Sequence, residues 1–129
     1  MILGIGTDLV DIRRIERSLA RFGHRFAQRV LVEQEYQRFC KHVKPAHYIA
    51  KRFAAKEAFS KAMGTGIHFP VNWHNVSVAN ERSGKPYFRF SDPLAALLAQ
   101  RGIRRAHLSL TDEVEMACAF VILEGDEPE

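Results

Sequence analysis

Asp8, Glu57 and Lys61 have side chains of types that could act on a phosphate, although type and spacing alone do not bring Asp8 to the other two. Aspartate and glutamate offer hard oxygen donors. Magnesium in phosphate chemistry typically takes one or two carboxylates, several waters and the oxygens of the substrate. Lysine adds a point charge that neutralises a phosphate oxygen. On a helix advancing about 100° per residue, Ala50, Phe53, Ala54, Glu57, Ala58, Lys61 and Ala62 fall on one side. Glu57 and Lys61 thus lie in an apolar stripe, where a charge is costly unless it is paired or bound to a metal. The plainer alternatives stay open: an ordinary i, i+4 helix pair for Glu57 and Lys61, and a helix N-cap for Asp8. Gly64-Thr65-Gly66 follows the helix rather than preceding it. That excludes a P-loop and predicts a C-terminal cap whose turn also lets a phosphate approach the backbone. Lys44, Arg52 and Lys85 are further cations that could meet phosphate, each an ordinary solvated cation by default.

The elements that must position these residues follow from periodicity. Ile2–Gly6 predicts a first strand that delivers Asp8 to the mouth of a helix. From Val10 to Phe22, Ile12, Ile15, Leu19 and Phe22 recur with helical spacing. Arg14, Arg17 and Arg21 form a basic stripe there, which Arg25 continues only if the helix survives Gly23. A short segment over 26–31 and a helix near 33–41 precede a long helix that Pro45 opens and Met63 closes. Residues 76–78 and 87–90, around a turn-rich segment, predict a hairpin. Ser91-Asp92-Pro93 starts a helix that Gly102 ends. Strands at 106–110 and 116–123 close the chain. The last, apolar on both faces, is expected to be central and covered by helices. The fold class is therefore α+β, a single domain over 1–125 with strands on a long helix, and 126–129 as a solvated tail.

A chain of 129 residues with 47% hydrophobic residues buries one core. No apolar run is long enough to span a bilayer, and MILGIGTDLV carries neither a basic leader nor a cleavage site. Cys40 and Cys118, each in an apolar pattern, read as reduced core thiols, which points to the cytoplasm. The net charge of +4 hides an asymmetry: residues 1–66 hold 13 Lys and Arg against 6 Asp and Glu. Such a surface suits an acidic partner. The six histidines show no zinc spacing. No serine or cysteine sits in a nucleophile motif, and no nucleic-acid module accompanies the basic stripe.

Gly6-Thr7-Asp8 together with Phe53, Lys56-Glu57-Ala58, Lys61 and Gly64-Thr65-Gly66 resembles the holo-acyl-carrier-protein synthases, 4'-phosphopantetheinyl transferases marked by G-x-D and F-x-x-K-E-A-x-x-K. Gly84-Lys85-Pro86 and Met116-Ala117-Cys118-Ala119 extend the likeness over nearly the whole chain. The resemblance implies a homotrimer with coenzyme A in clefts between subunits. It implies transfer of phosphopantetheine from coenzyme A to a serine of apo acyl carrier protein, supporting fatty acid biosynthesis. By the same token, Asp8 and Glu57 become Mg2+ ligands, and Lys61 is catalytic with them. Arg52, Lys61, Gly64, Thr65, Gly66, Lys85 and Pro86 become coenzyme A contacts, and Arg14, Arg21, Arg25 and Phe26 the carrier-docking surface. One departure stands out. Many relatives carry a histidine after the Ser-x-Ser/Thr strand end, where this chain has Asp112, so that contact does not carry over.

Two other classes compete: a noncatalytic basic module binding RNA through Arg13, Arg14, Arg17 and Arg21, and a different magnesium phosphotransferase on the same scaffold. Steep salt dependence without a need for magnesium would mark the first. The choice of substrate would mark the second.

Overall fold

The computed structural model describes residues 1–128. Its elements in chain order are β1 (Ile2–Asp11), α1 (Ile12–Phe22), α2 (His24–Val30), α3 (Glu33–Lys41), α4 (Pro45–Met63), β2 (Val76–Asn80), β3 (Pro86–Phe90), α5 (Asp92–Gln100), β4 (Ile103–Asp112) and β5 (Met116–Gly125). Three antiparallel strands in the order β1-β5-β4 form one sheet, and β2-β3 form a separate hairpin. The central place of β5 agrees with its sequence. Of the expected tail, residue 129 lies outside the described residues.

What brings β1 against α4 is the absence of side chains between them. A Cβ on Gly6 would stand 1.9 Å from the Ala58 carbonyl oxygen, and one on Gly4 2.2 Å from that of Ala62. Ala54, Ala55, Ala58 and Ala62 on the helix and Ala117 and Ala119 on β5 are likewise small and buried. The sheet therefore lies directly on α4. Around this seam Ile12, Ile15, Ile49, Phe59, Val121 and Leu123 fill the core.

Several expectations need correction. The first strand does not end at Gly6, because Thr7 to Asp11 continue pairing with Phe120 to Met116. Asp8 is consequently a strand residue, and the cap of α1 is Asp11, whose carboxylate accepts from the Arg13 N–H at 2.9 Å. Gly23, with φ 61°, ends the first helix, so Arg25 sits on α2. Cys40 is exposed, since Glu35 and Phe39 take the inward positions of α3; Cys118 is half-buried. Finally, β5 is covered on one face only. On the other face Ile5, Leu9 and Phe120 are 58%, 63% and 42% exposed. The register sets Ile5 beside Ile122 and Leu9 beside Cys118, making one apolar patch.

Candidate active site

Because β1 lies on α4, Asp8 reaches the last turns of the helix. The Lys61 ammonium donates to Asp8 Oδ1 at 3.0 Å and to the Thr7 carbonyl at 3.1 Å. One turn earlier, Glu57 is half-buried and accepts no hydrogen bond from a described side chain. Burial pushes its carboxyl above the ordinary carboxylate value, and the Asp8 charge adds to that push; Lys61 and Arg14 oppose it. The three residues singled out by type and spacing are thus brought together.

Their setting differs from a desolvated stripe. Helix α4 is buried nearly all round, while the Lys61 side chain is 54% exposed. Asp8 and Glu57 form an acidic pair open to solvent through Lys61, two hard oxygen donors whose mutual repulsion a cation would relieve. Among the described residues no group of three or more His, Cys, Asp or Glu could hold a metal. A two-carboxylate set fits magnesium, which keeps waters and takes phosphate oxygens for its other positions.

The remaining site residues separate into two ends of α4. Gly64 caps the helix in the left-handed conformation, φ 75°. The N–H groups of Thr65 and Gly66 both donate to Ser60 O at 3.3 Å, and the Thr65 hydroxyl donates to Gly66 O. The turn is therefore tight against the helix, with Lys61 beside it. Nine residues earlier, about 14 Å along the axis, Arg52 is buried over the Tyr48 ring and donates to Asn80 Oδ1 at 2.9 Å. Asn80 in turn donates to the Gly84 carbonyl at 3.0 Å. Arg52 thereby braces the turn that carries Lys85 and Pro86. Along α4, Arg52 therefore stands about two and a half turns from Lys61.

Arg14, Arg21 and Arg25 are exposed, and Phe26 is half-buried against the core. Arg14 lies 5.9 Å over the Phe53 ring, which stacks on Trp73 at 5.0 Å, so the basic stripe runs to the edge of the Glu57 site. Asp112 does not stand alone. It takes a hydrogen bond from His47 Nδ1 at 2.9 Å and has the Lys51 ammonium at 3.5 Å. The His47 bond, with Lys51 behind it, holds its carboxyl below the ordinary range.

Sequence reasoning quoted Lys56 only as part of a motif, without a role, and missed Glu35. The ammonium of Lys56 is fully buried and bonded to Glu35 Oε1 at 2.7 Å. Burial pushes Lys56 down while Glu35 opposes it. Their signal was present: a lysine between Ala55 and Ala58, and a glutamate four residues before Phe39 on the inward face of α3.

The chain is similar to known proteins over nearly its whole length. The family described as the 4'-phosphopantetheinyl transferase superfamily matches residues 4–119. A holo-[acyl-carrier-protein] synthase of Nitrosomonas europaea is 56% identical over 124 residues, covering 96% of this chain and 99% of that one. Among solved structures, the holo-[acyl-carrier-protein] synthase of Neisseria meningitidis is similar with a TM-score of 0.93 at 46% identity, covering 96% of this chain and 99% of that one. The Bacillus anthracis holo-(acyl-carrier-protein) synthase, described in complex with CoA (3',5'-ADP), is similar with a TM-score of 0.82 at 36% identity, covering 98% and 99%.

Proposed function

The chain belongs to the 4'-phosphopantetheinyl transferase superfamily, and from that premise we propose that it transfers the 4'-phosphopantetheine group of coenzyme A to a serine of apo acyl carrier protein. The observation that carries this reading is the convergence of Asp8, Glu57 and Lys61 where β1 meets α4. In the reaction the serine oxygen forms a bond to the β-phosphorus of coenzyme A. The bond from that phosphorus to the bridging oxygen breaks, and 3',5'-ADP leaves with the electron pair.

Positioning and charge neutralisation lower most of the barrier in such a transfer. Asp8 and Glu57 would hold magnesium, which when bound supplies positive charge to the pyrophosphate. A carboxylate oxygen of Glu57 left free of the metal is the chain's own candidate to take the serine proton. Lys61, exposed and within reach of Asp8, stabilises the departing phosphate. The exposed Arg14, Arg21 and Arg25 supply a basic face for the acidic carrier, with Phe26 beside them. The reading extends to fatty acid biosynthesis, and to a cytoplasmic enzyme. No described helix is long and apolar enough to cross a membrane.

Two features support a homotrimer with shared coenzyme A sites. The bare sheet face of Ile5, Leu9 and Phe120 is a contiguous apolar patch of the kind that a subunit interface covers. The separation of Arg52, Lys85 and Pro86 from Lys61 and Gly64–Gly66 along one helix is accounted for if one copy contributes the first group and its neighbour the second. The chain over 1–125 acts as one transferase unit, β5 ending at Gly125.

Release of 3',5'-ADP, followed by chromatography with apo carrier present, tests the catalytic assignment. Lys61→Ala is expected to slow it on the order of 100-fold with the fold intact, since the side chain is exposed. Unchanged turnover would remove Lys61 from the mechanism.

A further inference from the structure

A second ionic cluster, which the transfer chemistry does not use, lies inside the protein. The Lys56 ammonium spends all three of its N–H donors on the protein: 2.7 Å to the Val30 carbonyl, 2.7 Å to Glu35 Oε1 and 2.8 Å to the Trp73 carbonyl. Glu35 is equally committed. Its Oε1 also accepts from the Val32 N–H at 3.0 Å, and its Oε2 accepts from the Val78 N–H at 2.8 Å. The side chains of Lys56 and Glu35 are 0% and 2% exposed, so neither group can reach a substrate.

A buried ion pair is weak grounds for stability, because desolvation offsets much of the attraction. What this one does is geometric. Val30 is the last residue of α2, whose terminal carbonyls lack helical partners, and a cation there suits the helix dipole. Arg25 and Phe26 sit on the same short helix. Lys56 is adjacent to Glu57, on the same turn of α4. The Trp73 carbonyl belongs to the residue that stacks on Phe53, under Arg14. One ammonium therefore joins the helix carrying Arg25 and Phe26, the ring pair under Arg14 and the turn presenting Glu57.

The geometry points to Lys56 as a positioning residue that fixes the carrier-docking surface relative to Glu57. This rests on the carrier-docking reading of Arg14, Arg21, Arg25 and Phe26. Glu35 neutralises the ammonium and orders α3 and β2, while the two carbonyl bonds do the positioning. Removing the charge partner and removing the tie should accordingly have different consequences.

Three variants separate positioning from plain stabilisation, with melting temperature, the KM for coenzyme A and the Kd for apo acyl carrier protein measured on each. Glu35→Gln leaves Lys56 on Val30 and Trp73: Tm falls, and carrier Kd stays within about twofold of wild type. Lys56→Met lowers Tm and weakens carrier binding on the order of tenfold. In Glu35→Gln/Lys56→Met no buried charge is left unpaired, so Tm recovers toward wild type while carrier binding stays weakened. The KM for coenzyme A holds within about twofold throughout. Should Lys56→Met alone fail to fold, the charge-free double variant carries the comparison. Carrier affinity that follows Tm across the series, or that returns to wild type in the double variant, overturns the proposal. Wild-type protein that binds no apo carrier would instead overturn the docking reading beneath it.

Discussion

Replacing Gly6 by alanine should damage folding and catalysis together, by an amount the packing of β1 on α4 defines. The new Cβ would lie 1.9 Å from the Ala58 carbonyl oxygen and 2.7 Å from the Ala62 nitrogen, where real Cβ contacts under 3.0 Å essentially never occur. Both obstacles are backbone, so no side-chain rotation relieves the clash. Strand and helix must part by roughly 1 Å, a shift of the size that turns small core insertions into losses of about 1–3 kcal/mol or more. The upper end is expected here, because the seam is built of alanines that cannot expand to refill it. The same shift carries Asp8 away from Lys61, which now stands at 3.0 Å, and a 1 Å misplacement of a reacting group can cost on the order of 100-fold in rate. Urea unfolding reads the first effect, and phosphopantetheine transfer well below the melting temperature reads the second. A Gly6→Ala protein with wild-type urea midpoint and wild-type rate would refute the argument that close packing at this seam sets the site.

In metal-free protein Glu57 trades stability for function. Its folded-state pKa is raised, so its ionised form counts against the fold, and this loss sets in as pH rises from its ordinary value of 4.5 through the raised one. Glu57→Gln should melt above wild type at pH 7 in EDTA, with the difference vanishing below about pH 4, while transfer with magnesium present is much reduced; calorimetry showing a lower Tm would contradict this. Arg101 donates to the Met63 carbonyl at 2.7 Å and so caps α4 just before the Gly64 turn. Arg101→Ala should cost about 1 kcal/mol in urea unfolding and weaken coenzyme A binding measured by calorimetry. Leu9→Glu on the bare sheet face should shift the light-scattering mass from three chains toward one, with helix content by circular dichroism unchanged. A wild-type mass of one chain at working concentration would remove the trimer.

Much of this was legible in the residues. Helix α4 announces itself through Pro45 at its start and Gly64 at its end, and the hairpin through Ser83-Gly84 between two apolar runs. Type and spacing marked Asp8, Glu57 and Lys61 as candidates, and the family resemblance implied that they belong together. What the spacing could not supply was long-range pairing. Asp8 read as a cap because an aspartate after Gly6-Thr7 looks like a strand end, and only the partner strand, through Ala119 opposite Asp8, shows that β1 goes on. Helical periodicity marked Glu57 and Lys61 but passed over Lys56. On a helix buried nearly all round no stripe stands out, and the partner that makes a buried lysine tolerable is 21 residues away on another helix. Cys40 misled for a related reason. Its apolar neighbours Tyr36 and Phe39 face inward, and the next inward place on α3 belongs to a charged residue, Glu35.

Phosphopantetheine transfer is read from the intact mass of an apo acyl carrier protein after incubation with coenzyme A, magnesium and this protein, wild type against Glu57→Gln. The expected result is a gain of one phosphopantetheinyl group with wild type, abolished by EDTA and much reduced with the variant. A folded wild-type protein that adds nothing to any of several apo carriers would contradict it.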